Sequence, residues 1–292
     1  MNASLAADGN GERVTPDELA NLYAHPLHWD PQEDTLIAAV AQSMIGYAIT
    51  ERREEDAGAL VHWVNLHLPA PWRGCGLELA MQRYMERRAR AAAAATPGGL
   101  PGTLASMVPE TWRARVEMLL AEGYAPARYF FEMQRSLDGD LPPVSLPPGL
   151  EFRTPLPAHY RTIWDADVEC DRDNWGHLVP GDEVYRAWVE TPGLDPTLWR
   201  VVWDGAQVAG AAINVLHEGS WGETDDLFVR RPWRKLGLGR ALLLASMHGF
   251  KARGLTTAGL GVDADNPSGA LRLYQGLGYS PYQRMAVYRK PL

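Results

Sequence analysis

Three things are scarce in this 292-residue chain: cysteine, lysine and long apolar runs. Cys75 and Cys170 are the only cysteines and lie far apart, which excludes a disulfide framework or a thiolate metal site and fits a reducing compartment. No apolar stretch approaches the ~20 residues of a membrane-spanning helix, and mean hydropathy is -0.26. Met1-Asn2-Ala3-Ser4-Leu5 has neither a basic start nor an apolar core, so no signal peptide is evident and a cytoplasmic location is expected, away from any membrane. Basic charge is also short: 28 Lys and Arg against 36 Asp and Glu give a net charge of -8. That argues against a nucleic-acid partner, which needs a concentrated basic surface. His159 and His177 have no partners at metal-ligand spacing, and no metal is expected.

Apolar residues make up 46% of the chain, enough for a buried core, and the length admits one large domain or two smaller ones. Asp138–Gly149 contains four prolines; it reads as a semi-rigid, non-helical connector, because proline fixes its own φ and pushes its predecessor to extended backbone. It predicts domains at 1–137 and 150–292.

The two halves are alike. Pro71-Trp72-Arg73-Gly74-Cys75-Gly76 in the first answers Pro232-Trp233-Arg234-Lys235-Leu236-Gly237 in the second. Gly123-Tyr124 answers Gly278-Tyr279, and the β-rich pairs Thr35–Val40 with Met44–Ile49 answer Trp199–Trp203 with Val208–Val215. Each pair reads as a hairpin, and the matched order indicates an internal duplication.

In the second half the strand Leu227-Phe228-Val229 enters a glycine-bearing turn that opens the apolar stretch Ala241–Phe250, of helical length. Such a helix start leaves backbone N–H groups unpaired, and with the helix dipole they suit a pyrophosphate. Gly237 and Gly239 let an anion approach the backbone, and five basic residues (230, 231, 234, 235, 240) surround the turn. There is no Walker A ending and no dinucleotide-binding glycine spacing.

Val229–Leu243, with Arg-x-x-Gly-x-Gly at its centre, resembles motif A of the GNAT superfamily of acyl-CoA-dependent N-acyltransferases. Leu260–Tyr279, with Asn266, Ala270, Tyr274 and Leu277-Gly278-Tyr279 in order, resembles its motif B. The two-half layout is similar to tandem GNAT proteins of the mycothiol-synthase type. The resemblance implies an α/β (α+β) fold of two tandem GNAT-like domains, each a mixed, mostly antiparallel sheet flanked by helices, with a splayed central strand pair. It implies acetyl-CoA as co-substrate, its pyrophosphate held by backbone N–H groups of Lys235, Leu236, Gly237, Leu238, Gly239 and Arg240, with Arg234 also among the cofactor-binding residues. It further implies that Leu227 and Val229 pair with the pantetheine arm, that Asn266 bonds the cofactor, and that Tyr274 protonates the departing thiolate.

Amine attack on a thioester also needs a proton acceptor. Glu223, eleven residues before the motif's arginine, is the first candidate by the same resemblance and Asp225 the reserve. Regular alternation puts Glu223, Asp225, Leu227 and Val229 on one face and Asp226 on the other. Acids at alternate positions from 165 to 173, bracketed by tryptophans, suggest an acceptor wall with Asp171 and Trp175 against a cationic or polyhydroxylated amine.

The first half keeps Arg73-x-x-Gly76 but has Glu78 where motif A needs Gly or Ala. Thr111 and Leu119 stand opposite Asn266 and Tyr274. It is therefore expected not to catalyse. The expected protein is an N-acetyltransferase, monomer or homodimer, acting on a small-molecule amine through one working site. The alternatives are a non-catalytic acyl-CoA-binding or regulatory protein and an aminoglycoside-type resistance acetyltransferase.

Overall fold

The unbroken apolar run Val208–Ile213 suits a strand covered on both faces, and every residue of it is buried. In the computed structural model, which describes residues 15–55, 58–95, 102–178, 180–217, 219–266 and 268–292, that strand lies inside the second of two compact units.

The first unit comprises the described residues up to Tyr129 together with Arg284–Leu292. Helix α1 (Pro16–Ala24) starts at a capping box in which Thr15 and Glu18 satisfy each other's backbone N–H. Strands β1 (Thr35–Val40), β2 (Ser43–Glu55) and β3 (Ala59–His67) form an antiparallel run. Helix α2 (Leu77–Ala94) then leads to β4 (Gly102–Pro109), parallel to β3 over only Leu60–Trp63. Helix α3 (Arg113–Ala121) follows. Met81, Met85, Leu104, Leu119 and Tyr124 centre the core.

The second unit, Phe130–Gln283, repeats the plan. Strands β6 (Glu151–Phe152), β7 (Arg200–Asp204), β8 (Gln207–Leu216) and β9 (Trp221–Val229) are successively antiparallel. Helices α4 (Tyr160–Asp171) and α5 (Asp182–Val189) lie between β6 and β7 in the chain. Helix α6 (Leu238–Ala252) connects β9 to the parallel strand β10 (Thr257–Asp263), and helix α7 (Ala270–Gly276) follows. On one sheet face Ile163 and Ala166 of α4 pack with Val201, Val208 and Phe228. On the other, Leu243, Met247 and Phe250 of α6 pack with Leu260.

Each unit completes its sheet with a strand from the other part of the sequence. Strand β5 (Ala125–Ser136) runs antiparallel to β10 from Phe130 to Ser136. Strand β11 (Ser280–Pro291) runs antiparallel to β4 from Met285 to Pro291. The compact units therefore break at 129/130 and 283/284, not at the Pro-rich segment. That segment has no helix or strand and is fastened to the second unit. Leu141 and Leu146 pack on its core, Pro142 O meets His248 Nε2 at 2.9 Å, and Gly139 O accepts from Lys251.

Candidate active site

The turn before α6 is built by two backbone requirements. Lys235 and Gly237 both take left-handed conformations (φ 63° and 87°), which glycine adopts without the Cβ penalty. Gly237 is the N-cap and offers no side-chain cap, so the first N–H groups of α6 stay outside the helix's own hydrogen bonding. Leu236 and Gly237 are exposed. Gly239 serves packing instead: a Cβ there would sit 3.3 Å from Leu273 Cδ2. That close approach sets α7, and with it Tyr274, against the start of α6. The residues fit a pyrophosphate at this turn.

The arginines around the turn are largely engaged. Arg234 donates from Nε to Val229 O (2.8 Å) and from Nη1 to Asp173 (2.6 Å). Arg231 also donates to Asp173, and Arg230 to Glu169. The bonds from Arg231 and then Arg234 hold the Asp173 carboxyl down at about 2. Arg234 thus braces the end of β9, as Arg73 Nε does on Leu68 O (2.7 Å) in the first unit. Lys235 and Arg240 are exposed.

Beside the turn the sheet opens. Strand β9 pairs with β10 only from Trp221 to Glu223, although β9 continues to Val229 and β10 to Asp263. The edges of Leu227 and Val229 that face away from β8 lie beyond this pairing.

A β-bulge alters the expected face pattern of β9. Asn214 pairs with Thr224 but Ile213 with Asp226, leaving Asp225 as the extra residue. Gly222 and Thr224 lie on the α6 side: Gly222 touches Phe250, and Thr224 bonds Asn214, which bonds Ser246. After the bulge the parity flips, so Phe228 packs with Ile163 of α4 and Leu227 with Leu242 of α6. Asp226 therefore lies on the α4 side, the same face as Glu223 and opposite to Leu227 and Val229. The regular-alternation grouping of Glu223, Asp225, Leu227 and Val229 is corrected by that one inserted residue.

Glu223 is paired: its Oε2 lies 2.6 Å from His217 Nε2 at the end of β8, both groups about one-quarter exposed. Asp225 and Asp226 line a cavity of about 220 Å³ with Asp167, Ile163, Trp164 and Trp188. Asp167 and Asp226 share a hydrogen bond. Burial and then the Asp226 charge push Asp167 up to about 10, while burial raises Asp226 as well. The pair thus keeps a proton at neutral pH. Burial, then the Asp226 charge, also pushes the Tyr274 phenol up to about 12. Its ring packs edge-on to Tyr279 at 6.3 Å.

Asp171 and Trp175 do not line this cavity. Asp171 accepts from Asn174 (2.9 Å) and acts on the Asp167 pair through its charge; the Trp175 ring lies 6.3 Å from Phe130. Asn266 Oδ1 accepts from Ser268 N (2.8 Å), an Asx turn leading into α7, which leaves Nδ2 for a ligand. Reading the sequence missed His217, Asp167 and Asp226 as site members. The lone signal was the alternate-acid run, since a bulge and a cross-hairpin pair leave no periodic mark. Cys170 is buried, which pushes its thiol up to about 11. Among the described residues no group of three His, Cys, Asp or Glu could hold a metal, and no helix is long and apolar enough to cross a membrane.

In the first unit Gly76 keeps the left-handed turn (φ 86°), but Glu78 lies buried beside Arg115, with Nη1 to Oε1 at 3.5 Å. Arg115 donates to Gln82, Gln82 to Tyr124 and Tyr124 to Glu86.

The site thus joins a glycine-capped helix start to a strand pair that parts, with a buried phenol and carboxyls in an α/β unit. The chain matches the Acetyltransferase (GNAT) family over residues 160–279. It is 31% identical over 251 residues to a mycothiol acetyltransferase of Thermomonospora curvata, covering 84% of this chain and 78% of that protein. It is 26% identical to one of Thermobispora bispora over 99% of this chain and 93% of that protein. The fold is similar to a GCN5-related N-acetyltransferase from Sphaerobacter thermophilus (TM-score 0.75, 23% identity, 99% of this chain and 89% of that one). It is also similar to a tandem GNAT protein from the clavulanic acid biosynthesis pathway (TM-score 0.68, 18% identity, 99% and 92%). The chain belongs to the GNAT family of acetyltransferases, in its tandem form.

Proposed function

We propose that the second unit transfers an acetyl group from acetyl-CoA to the primary amine of a mycothiol precursor, and that the first unit supports it without catalysing. The parting of β9 from β10 beyond Glu223 carries this reading, because it opens a slot between the α6 turn and the groups that handle protons. The N–H groups of residues 235–240 hold the pyrophosphate, the free edges of Leu227 and Val229 receive the pantetheine arm, and Asn266 Nδ2 bonds the cofactor. Arg234 acts by bracing β9.

The amine attacks the thioester carbonyl directly. Glu223 takes its proton and His217, 2.6 Å away, passes it toward solvent; Asp225 is the reserve acceptor. Tyr274 stays protonated at neutral pH, since a phenol near 12 is far less acidic than a thiol at about 8.5. It therefore acts as a hydrogen-bond donor to sulfur as negative charge develops there. The Asp167–Asp226 cavity, walled by Trp164 and Trp188, offers hydrogen bonds and an aromatic surface to a polar acceptor; Asp171 biases its charge and Trp175 lies outside it. In the first unit, Glu78 fills the place of Gly239 and its carboxylate repels a pyrophosphate.

The experiment measures CoA formed from acetyl-CoA, separated by chromatography, with des-acetyl mycothiol, a polyamine and an aminoglycoside as acceptors. Faster turnover of des-acetyl mycothiol by about 100-fold or more supports the acceptor assignment, a preference of the size that a lost buried hydrogen-bond set produces. Preferred turnover of either other amine overturns it.

A further inference from the structure

A larger groove, about 640 Å³, lies elsewhere on the second unit, within the usual range of small-molecule sites. Val144 and Leu146 of the Pro-rich segment, Phe152, Trp199, and Ala245 and His248 of α6 line it. His248 stands eleven residues beyond Gly237, so the groove lies ~16 Å along α6 from the pyrophosphate turn. Val144 and Phe152 are each 37% exposed, so apolar surface faces solvent here.

Arg200 sets the chemistry. It is half-buried, and its guanidinium is fixed by carbonyls alone: Nε to Ala245 O (3.1 Å), and Nη1 to Thr197 O (3.2 Å) and Trp199 O (3.1 Å). Among the described residues it has no carboxylate partner, and its Nη2 donates to no protein group. The other polar side chains nearby are engaged. Arg153 is paired with Glu151. Arg253 donates to the Thr197 hydroxyl (3.0 Å), which donates to Asp195 (2.6 Å). Burial, then the Arg253 charge, lower the proton affinity of Arg200, the mark of a cation lacking a counter-ion.

We propose that this groove is a second ligand site, separate from acetyl transfer, for a small organic monocarboxylate with an apolar body. One side of Nη2 packs against Gly249; a carboxylate supplies negative charge beside the guanidinium and accepts from the other Nη2 N–H, a charge-assisted contact stronger than a neutral one. The apolar body covers Phe152 and Val144. Inorganic phosphate would leave the apolar wall bare.

Calorimetric titration of the full chain with 2-naphthoate, 2-naphthamide and inorganic phosphate tests this. The naphthoate is expected to bind at least about tenfold tighter than its neutral amide, with no competition from phosphate. Arg200→Gln is expected to weaken the naphthoate by about tenfold or more and to leave acetyl-CoA affinity unchanged. Should that variant fail to fold, His248→Glu, at an exposed position, adds negative charge at the groove and is expected to weaken binding in the same direction. Absence of naphthoate binding up to about 10 mM, equal affinity for acid and amide, displacement by phosphate, or an unchanged affinity in a folded variant each overturns the proposal.

Discussion

The carboxyl pair Asp167–Asp226 is the most perturbed group in the candidate site, and its sign is testable. A carboxyl whose folded pKa lies above its unfolded value of about 3.9 binds its proton more tightly in the folded chain. Stability is then fully present below about pH 4 and falls as pH rises toward the folded value near 10. Asp226→Asn removes one titrating partner while keeping its shape. Its thermal midpoint is expected to rise above wild type at pH 8, by about 2–4 °C for each kcal/mol recovered, and to match wild type at pH 4. An equal offset at both pH values would contradict a shared buried proton.

At the scale of the element, the bulge in β9 does what no single residue does. One inserted position brings Glu223 and Asp226 onto the α4 side while Leu227 and Val229 turn to the α6 side. Deleting Asp225 restores regular alternation and moves part of that set to the wrong face. Acetyl transfer is expected to fall by at least about 100-fold, the cost of misplacing reacting groups by an ångström or more. Asp225→Gly keeps the extra residue and is expected to retain most activity. Loss of activity in both variants would assign the effect to the Asp225 carboxyl instead. The glycine-capped start of α6 was legible because its residue types have few other uses. The bulge was not, because none of the residue types around Asp225 is confined to bulges.

For the whole molecule, the duplication was legible in the repeated Pro-Trp-Arg turn and the paired Gly-Tyr signals. Its boundaries were not. Prolines mark where regular structure stops, but Phe130–Ser136 and Met285–Pro291 find their partners by long-range pairing, for which local sequence carries no sign. The first unit carries a polar network behind its own glycine turn. Glu78, Gln82, Glu86 and Tyr124 form a buried polar network around Arg115, itself 4% exposed. Arg115→Met leaves Glu78 buried without its counter-charge and is expected to cost about 3–5 kcal/mol in denaturant unfolding. The double variant Glu78→Leu, Arg115→Met is expected to recover much of that loss, because an apolar pair often substitutes for a buried ion pair. A double variant no more stable than the single one would show that the pair does not act as a unit.

We propose that the second unit holds the acetyl-transfer site, with Tyr274 as donor to the leaving sulfur. It is tested by steady-state formation of CoA, separated by chromatography, by Tyr274→Phe beside wild type, with acetyl-CoA affinity measured in parallel. A fall in kcat of about 100-fold or more is expected, with acetyl-CoA binding unchanged. Wild-type kcat in the Phe variant would contradict it.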